Sequence, residues 1–530
     1  MTNADHPDRR WFTLATMCIA LFMIMLDNTV VNVALPSIQR AFNPSAESLE
    51  WTINAYVLTF AVLILTGGKL GDRFGRRKLF IVGLGVFTLA SAMCALAQSD
   101  NQLIAFRAFQ GVGGAIMNPL TLSILVAAFP RKQLPTAIGI WAGISGLGLA
   151  IGPLLGGYLV DHAGWSYVFW INIPVGIVAV VAALLFVDES RDPTTTSIDL
   201  LGTVLITGSL FALVFGLIKT GTHSFGSPLI LELLIASVVL FVAFLVWESR
   251  TANPMIPLEF FRVRMFSISV VVVILVGFAM FGSIYFLSLY FQNVQGLNAL
   301  QSGLRSLPLT AMIVICAPIA GRVNGRYGPR WLMVLGMAFA SIGMFGLSRL
   351  GVSTSYNAIW PFYMLLGAGI SLTMPSVSSA AMGSVDPRKA GIASGVVNAG
   401  RQVGGSVGLA ILGAVAAAVS ADHWRATLTS AQTRGPLNSD RVLQAVQSAN
   451  GTRLVAGLQK AGFPLGDTTA FRHDISASFV SGLDRAMFVG GSLTLIAGVA
   501  AAVGLHGLRM AQHTPAEKPA EQQPVIAVEA

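Results

Sequence analysis

The chain is a succession of apolar stretches separated by short polar segments. Fourteen of them are long enough to cross a bilayer as helices, since a spanning helix needs about 17–25 mainly apolar residues. Barrel strands would alternate apolar and polar positions, so the pattern predicts an all-α polytopic membrane protein. The predicted spans cover residues 12–34, 51–70, 79–97, 103–127, 137–160, 168–187, 200–218, 229–247, 266–288, 304–321, 331–348, 359–382, 391–418 and 486–506.

Composition supports this class. Of 530 residues, 54% are hydrophobic and 11% are charged, and the mean hydropathy is +0.71. A soluble protein would carry about 25% charged residues. Cys18, Cys94 and Cys316 all lie in apolar runs, so neither a disulfide framework nor a metal cluster is predicted. The first apolar run is too long for a signal peptide.

The distribution of basic residues among the loops predicts the orientation of the chain in the membrane. Alternate loops are rich in arginine and lysine, which by the positive-inside rule places both termini in the cytoplasm. The net charge of +9 is therefore no sign of nucleic-acid binding. Residues 420–485 form a long basic loop, which we expect outside with short surface helices such as Arg441–Leu458. The basic loop residues are Arg9, Arg10, Lys69, Arg73, Arg76, Arg77, Lys78, Arg131, Lys132, Arg191, Arg250, Arg262, Arg264, Arg322, Arg326, Arg330, Arg388 and Lys389.

A weak internal repeat indicates two halves. GGKLGDRFGRR (67–77) follows the second span and GRVNGRYGPR (321–330) follows the tenth. We therefore predict two six-helix bundles, which is the layout of secondary transporters with a site at the interface of the halves. The predicted units are residues 1–190, two inserted helices in 191–256, residues 257–510 including the 420–485 loop, and a disordered cytoplasmic tail at 511–530.

The first span contains one ionisable residue, Asp27, near its middle. A carboxylate at the bilayer centre costs roughly 2.5–3.5 kcal/mol on insertion scales, so Asp27 needs a partner, a proton or a cationic ligand. This makes it a candidate functional residue. The alternative is that Asp27 faces a wet gap between helices and only holds the fold.

The fourth span contains Arg107, with Gln110 one turn further on. An arginine inside a span should face protein or water, where it can favour the charged form of a nearby carboxylate when a proton leaves. The alternative is an arginine that reaches the membrane surface or binds backbone carbonyls.

The turn after the second span predicts a conformational latch. Asp72 can accept hydrogen bonds from the N-terminus of a neighbouring helix or pair with an arginine, holding one packing of the two bundles. The alternative is a static clamp. In the second copy of the repeat Gly325 replaces the acid, with Asn324 beside it, which breaks the symmetry. The latch residues are Gly68, Asp72, Arg73, Gly75 and Arg76.

The fifth span carries glycines at four-residue spacing around a proline. Pro153 predicts a kink, and the glycines allow another helix to approach closely. Plain tight packing is the alternative. The residues concerned are Gly148, Gly152, Pro153, Gly156 and Gly157.

Three of these motifs, in chain order the turn at 67–77, the Arg107 stretch of the fourth span and the glycine–proline stretch of the fifth span, resemble the signature set of the major facilitator superfamily. The glycine–proline motif resembles the one that marks the antiporters of that superfamily. The stretches LDNTVVNVALP (26–36), WTINAYVLTFA (51–61), GWSYVFWINIPVG (164–176) and NAGRQVGGSVG (398–408) resemble the fourteen-helix drug:proton antiporter family. The resemblance covers nearly the whole chain. Gly325 in the second repeat, and Ser166 where the family commonly has arginine, depart from the pattern.

The resemblance implies a major facilitator fold that exports lipophilic cations, dyes or biocides from the cytoplasm in exchange for protons. Asp27 would exchange the proton within reach of a cavity, with Arg107 beside it. The energy source would be the proton gradient, with no cofactor, nucleotide or metal. Protons, a small-molecule substrate and membrane lipid are the expected partners, and we expect a monomer in the plasma (inner) membrane.

Polar, aromatic and methionine side chains inside the spans are candidates for lining that cavity. For the aromatic and methionine residues, ordinary packing is the alternative, and Arg401 either lines the cavity or binds backbone carbonyls. The candidates are Asn32, Asn54, Tyr56, Gln110, Asn118, Tyr285, Phe286, Met374, Asn398 and Arg401.

Two other functions stay open at this point. One is export of a specific product such as an antibiotic or a lipid, because the motifs indicate proton coupling but do not identify the transported substrate. The other is a membrane sensor with transporter architecture. An enzyme is not expected, since the sequence shows no nucleophile–base pair or metal set.

Overall fold

The computed structural model describes residues 7–44, 46–192, 199–219, 227–251, 254–428, 437, 440–447, 454–455, 459 and 468–506. Within them, all regular secondary structure is helical. Thirteen segments are long and apolar enough to span a membrane. The remaining predicted span lies in a helix whose described apolar part, Leu134–Gly148, is shorter.

The first part of the chain forms six spans, the last of which is broken. These helices are α1 (Pro7–Phe42), α2 (Ala46–Phe74), α3 (Arg76–Ala95), α4 (Asp100–Ala128), α5 (Leu134–His162), and the pair α6 (Tyr167–Trp170) and α7 (Asn172–Phe186). Two further spans follow as a hairpin, α8 (Leu200–Lys219) and α9 (Pro228–Glu248).

The second part repeats the arrangement after a 3₁₀ turn at Leu258–Arg262. Its helices are α10 (Arg264–Leu289, continued by a π-helical turn at Tyr290–Val294), the short α11 (Ala299–Arg305), α12 (Leu307–Tyr327), α13 (Pro329–Leu347), α14 (Tyr356–Gly383), α15 (Ala390–Thr427), α16 (Asp440–Gln447) and α17 (Thr468–Gly504). A 3₁₀ turn at Pro387–Lys389 precedes α15.

Helices α1–α7 form one group and α10–α17 form the other, although α5 packs on α12 of the second group as extensively as on α1. The α8–α9 hairpin lies outside both groups and touches α2 and α15 through α8. The unit boundaries drawn from the sequence stay a prediction, and residues 511–530 lie outside the described part of the chain.

The expectation of a loop over 420–485 was wrong at both of its ends. Helix α15 continues to Thr427 and α17 begins at Thr468. These extensions pack with α16 around Trp424, whose Nε1 donates to Leu437 O at 3.0 Å. Hydropathy marks where a membrane span ends, but a helix continues beyond it when its apolar side finds a protein partner.

Loops with the predicted excess of arginine and lysine lie at one end of the molecule, which we call the basic end. The halves meet there along two pairs of helices, α2 with α15 and α5 with α12. A Cβ atom on Gly68 would lie 2.5 Å from Gly391 O, and one on Gly139 would lie 2.8 Å from Gly321 Cα. Because only glycine permits such contact, the two halves touch backbone to backbone at this end.

Candidate functional site

A buried ion pair joins α1 to α4. Arg107 Nη1 lies 2.6 Å from Asp27 Oδ2, and each residue is only 1% exposed. The sequence predicted that these two residues act together, and the structure brings them into direct contact. Their role in proton coupling stays a prediction.

Neutral hydrogen-bonding groups surround the Asp27–Arg107 ion pair. Asp27 Oδ1 accepts from Gln110 Nε2 at 2.9 Å and from Asn172 Nδ2 at 3.2 Å. Arg107 donates to Gln110 Oε1 at 2.6 Å and, through Nε, to the carbonyl of Thr52 at 3.1 Å. Such additional hydrogen bonds are what makes a buried ion pair tolerable in an apolar interior.

The break between α6 and α7 places Asn172. The Phe169 carbonyl, at this break, accepts a hydrogen bond from Ser91 Oγ at 2.9 Å, and Asn172 Nδ2 donates to the same Ser91 oxygen at 3.0 Å. We call Asp27, Arg107, Gln110, Asn172 and Ser91 the Asp27 network. It joins α1, α3, α4 and α7, all of which belong to the first half.

Sequence reasoning did not single out Ser91 or Thr52. Ser91 looks like one more small polar residue in an apolar span, and Thr52 contributes only its backbone carbonyl, which no sequence pattern reveals. Tyr56 was predicted to line a cavity, but its ring lies against Arg107, 4.3 Å from the guanidinium carbon. This contact adds a cation–π interaction to the buried charge.

The Asp27 carboxylate does not reach a cavity in this conformation, contrary to the expectation from sequence. Its side chain is fully buried. Apolar side chains of α1, α3, α4 and α6, among them Leu26, Val30 and Leu103, form a cluster next to it. Arg107 lies seven residues, about 10 Å, from the start of α4, which is the end away from the basic loops. For Asp27 to exchange a proton, as the resemblance implies, this packing would have to open.

The residues of the predicted latch join the two halves at the basic end. Asp72 accepts from Arg76 Nε at 2.8 Å, and from the backbone nitrogens of Gly391 at 3.1 Å and Ile392 at 2.9 Å, at the start of α15. Arg76 also donates to the carbonyls of Pro387 at 3.0 Å and Arg388 at 2.7 Å. Both partners predicted for Asp72, a helix N-terminus and an arginine, are thus present together.

The other latch residues have simpler roles. Gly75 adopts φ +109°, which allows the turn between α2 and α3. Arg73 lies over the ring of Phe74 and outside the latch contacts, 5.1 Å from the ring centre. In the second repeat, Asn324 accepts a hydrogen bond from Ser376 at 3.1 Å within its own half. Within the described part of the chain, the charged contact that Asp72 makes therefore has no counterpart at the second repeat.

The segments that flank the α8–α9 hairpin also contact the latch region. Lys69 Nζ donates to Pro254 O at 3.0 Å, and the backbone nitrogen of Asp192 donates to Asp72 O at 2.7 Å. Arg76 N donates to Ser190 O at 2.9 Å. The sequence placed Lys69 among ordinary loop charges, and nothing in the pattern signalled this contact.

The glycines of α5 fit against α1. A Cβ atom on Gly148 would lie 2.8 Å from Met25 Cβ, and one on Gly156 would lie 3.3 Å from Val30 Cα. A Cβ on Gly152 would overlap Thr29 Oγ1, whereas Gly157 has open space around it. The side chain of Pro153 lies outside the described part of the structure, so its kink stays a prediction.

This difference between the glycines gives a direct test. We expect Gly152→Ala to push α1 away from α5 and to lower both thermal stability and transport turnover, by about 1–3 kcal/mol of stability. Gly157→Ala should leave turnover unchanged and raise stability by about 0.5–1 kcal/mol, because its methyl group meets no atom and alanine favours the helix. Thermal unfolding of the two purified variants checks the prediction. Equal behaviour of the two would show that α5 does not pack on α1 as described.

The remaining cavity candidates fall into three groups. Phe286, Asn118 and Asn398 are buried, and Phe286 packs within the apolar core. Gln110, like Tyr56, belongs to the surroundings of Asp27 and not to a cavity. Asn54, Met374 and Arg401 are half-buried, and Asn32 and Tyr285 are exposed.

Two bundles of apolar helices, an ion pair buried within one of them, and a charged latch between them are the architecture of a membrane transporter. The family model described as Major Facilitator Superfamily matches residues 17–409. The chain belongs to this family and is an integral membrane protein, as the resemblance predicted.

Curated relatives have related names. The chain is 37% identical over 525 residues to the "Tetracenomycin C resistance and export protein" of Streptomyces glaucescens, covering 98% of this chain and 95% of that protein. It is 36% identical to the "Puromycin resistance protein pur8" of Streptomyces alboniger, covering 79% and 85%. It is 35% identical to the "Multidrug resistance protein Stp" of Mycobacterium tuberculosis strain CDC 1551 / Oshkosh, covering 77% and 76%.

Solved structures share the fold. The human organic anion transporter MFSD10 superposes with a TM-score of 0.62 at 12% identity, covering 93% of this chain and 99% of that one. The proton:xylose symporter XylE gives a TM-score of 0.59 at 12% identity, covering 93% and 95%. At this identity the likeness shows the fold alone.

Proposed function

We propose that this protein exports antibiotic-like small molecules in exchange for protons. The names of relatives that match most of the chain support the export of drugs or antibiotics. The excess of basic residues supports a plasma-membrane orientation with the basic end and both termini in the cytoplasm. In that orientation, the closed basic end separates the inside of the protein from the cytoplasm.

The buried Asp27–Arg107 pair is the observation that carries proton coupling. Protonation of Asp27 removes the negative partner of Arg107 at a site from which water is excluded. An uncompensated charge in such a place is unstable by several kcal/mol. Loading the proton thus favours a rearrangement around Arg107, and releasing it restores the pair.

Helix α2 connects this event to the latch. Its Thr52 carbonyl and Tyr56 ring contact Arg107, and its Asp72 holds the start of α15. Thr52 and Asp72 are 20 residues apart in one helix, which corresponds to about 30 Å. A shift of α2 at the Asp27 network therefore displaces the latch, so that proton loading and opening of the basic end are linked.

The energetics are adequate for export. Each charge that crosses the membrane potential supplies about 2.3 kcal/mol per 100 mV. One proton per cycle therefore supports a substrate gradient of about tenfold or more.

Reconstitution tests the proposal. Vesicles with an acidic lumen and the purified protein should accumulate at least one compound from a panel that contains puromycin, the cation ethidium and the anion fluorescein. Addition of that compound should release protons from the lumen. A protonophore should abolish the uptake. Uptake that ignores the pH gradient, or substrate addition without proton movement, would contradict proton coupling. Uptake confined to one antibiotic would support a specific exporter, whereas uptake of several unrelated compounds would support a multidrug pump.

A further inference from the structure

Arg401 is a charged residue inside a membrane span of the second half for which the described structure shows no partner. It lies in α15, eleven residues or about 16 Å from the start of that helix at the basic end. Its side chain is half-buried. Among the residues that the structure describes, it has no hydrogen bond, ion pair or ring contact. The described hydrogen bonds therefore do not include the alternative predicted from the sequence, in which Arg401 binds backbone carbonyls.

The neighbours of Arg401 on α15 show that it does not face lipid. Ser394 and Gly408 lie two turns before and after it, on nearly the same side of the helix, and both are buried. A Cβ on Gly277 of α10 would overlap the carbonyl of Arg401 itself. The backbone of α15 thus packs directly on α10 at this level, and the half-buried side chain of Arg401 lies beside that contact.

The same helix forms the contact between the halves. Gly391 and Gly395 of α15 pack on Gly68 and Leu65 of α2, and these contacts seal the basic end. The same side of α15 continues to Asn398 and Gln402, and the same side of α2 continues to Asn54, by the helical repeat. Arg401 lies on α15 ten residues, or about 15 Å, beyond Gly391, between the face that contacts α2 and the face that contacts α10.

The polar residues at this junction are donors or amides. The side chains of Asn54 and Gln402 are half-buried and, within the described part of the chain, make no hydrogen bond. Asn398 uses its amide nitrogen for Ser394 O at 3.0 Å. None of these three side chains carries a charge, so the polar side chains on this part of the junction do not neutralise a guanidinium.

The described carboxylates that are buried or half-buried in the spans are placed elsewhere, including Asp484 of α17, which lies against the backbone of Leu350 just after α13. Asp27 pairs with Arg107, Asp72 forms the latch, and Glu248 accepts from the backbone nitrogens of Met255 at 2.9 Å and Ile256 at 3.2 Å. Glu232 is exposed on α9. A cationic substrate at the junction would therefore meet a positive charge, whereas an anionic one would supply the partner that Arg401 lacks.

We propose that Arg401 binds an anionic oxygen of the transported molecule, such as a carboxylate, a phenolate or an enolate. This rests on the proposed export function and names its substrate class. A guanidinium suits this role because its planar fork can donate two parallel hydrogen bonds to a carboxylate. It reverses the expectation of lipophilic cations that came from the sequence.

Two dyes of one ring system test the assignment. Fluorescein is an anion and tetramethylrhodamine methyl ester is a cation, and both contain a xanthene core. Fluorescence anisotropy with the purified full chain should show that Arg401→Gln weakens fluorescein binding by about tenfold or more, the loss of a charge-assisted hydrogen bond. Binding of the cation should stay equal or strengthen. Arg401→Lys should lie between the wild type and Arg401→Gln for fluorescein.

Arg322→Gln is the matched control, since it removes an exposed charge at the basic end and should leave both affinities unchanged. Equal losses for both dyes in Arg401→Gln would mean a structural role and overturn the assignment. Fluorescein binding that is unaffected by Arg401→Gln, or absent from the wild type, would overturn it as well. Proton-coupled uptake of any compound of the vesicle panel by the wild-type protein decides the proposed export function separately, because that result does not depend on the charge of the substrate.

Discussion

Asp27→Asn is expected to abolish proton-driven uptake and also to destabilise the protein. The substitution keeps the shape of the side chain but removes its charge, which leaves Arg107 buried without a counter-ion. Breaking one side of a buried pair typically costs about 3–5 kcal/mol. The sequence alone predicts that this variant loses transport at normal expression, and the geometry of the pair revises that expectation. Thermal unfolding and vesicle uptake measure the two effects.

A double variant separates folding from coupling. Asp27→Asn combined with Arg107→Gln removes both charges and leaves amides that can hydrogen-bond to Gln110 and Asn172. We expect it to regain much of the lost stability, while substrate-driven proton release stays absent. Asp27→Glu, which keeps an ionisable group, should retain part of the transport.

Two results would contradict this account. If Asp27→Asn unfolds at the wild-type temperature, the pair is not the buried ionic contact that the structure shows. If the double variant still accumulates substrate in response to a pH gradient, the exchanged proton is bound elsewhere.

Asp72→Asn is expected to shift the protein towards conformations in which the basic end is open. The neutral side chain loses the charge-assisted hydrogen bonds from Gly391 and Ile392 and the favourable position at the N-terminus of α15. Each charge-assisted hydrogen bond contributes about 1.5–3 kcal/mol, so the ratio of closed to open protein should fall by about tenfold or more. Transport should become slow or uncoupled.

Spin labels measure this shift directly. Lys78 and Arg388 are exposed on the two sides of the latch, so labels on cysteines at these positions report the separation of the halves. In Asp72→Asn the distance distribution should gain a longer component. Asp161→Asn, which changes an exposed acid away from the latch, should leave it unchanged. Loss of transport without any change in distance would favour the static clamp.

The helices and their order could be predicted from hydropathy, because the bilayer requires about 20 apolar residues for each span. The ends of α15 and α17 could not. There the chain leaves the apolar pattern, but Trp424 and its neighbours bury one side of each helix against the other. Hydropathy along the sequence predicts which segments are stable in lipid, but it does not predict which segments pack against other parts of the protein.

The candidate site shows the same division. Asp27 and Arg107 stand out in the sequence because charge is rare inside a span. That Asn172 and Ser91 join them depends on a helix break and on how α3, α4 and α7 meet. The expectation of an accessible carboxylate failed for this reason, since exposure is a property of the neighbours and not of the residue.

The sequence by itself determined that this is a helical membrane transporter, which way its basic loops point, and which few charged side chains need an explanation. Each of these follows from the free energy of placing single residues in lipid. Only the tertiary structure decided which charges are partnered: Asp27 by Arg107, Asp72 by Arg76 and the start of α15, and Arg401 by no described group. Pairing depends on contacts between distant segments, and these form only when the helices pack.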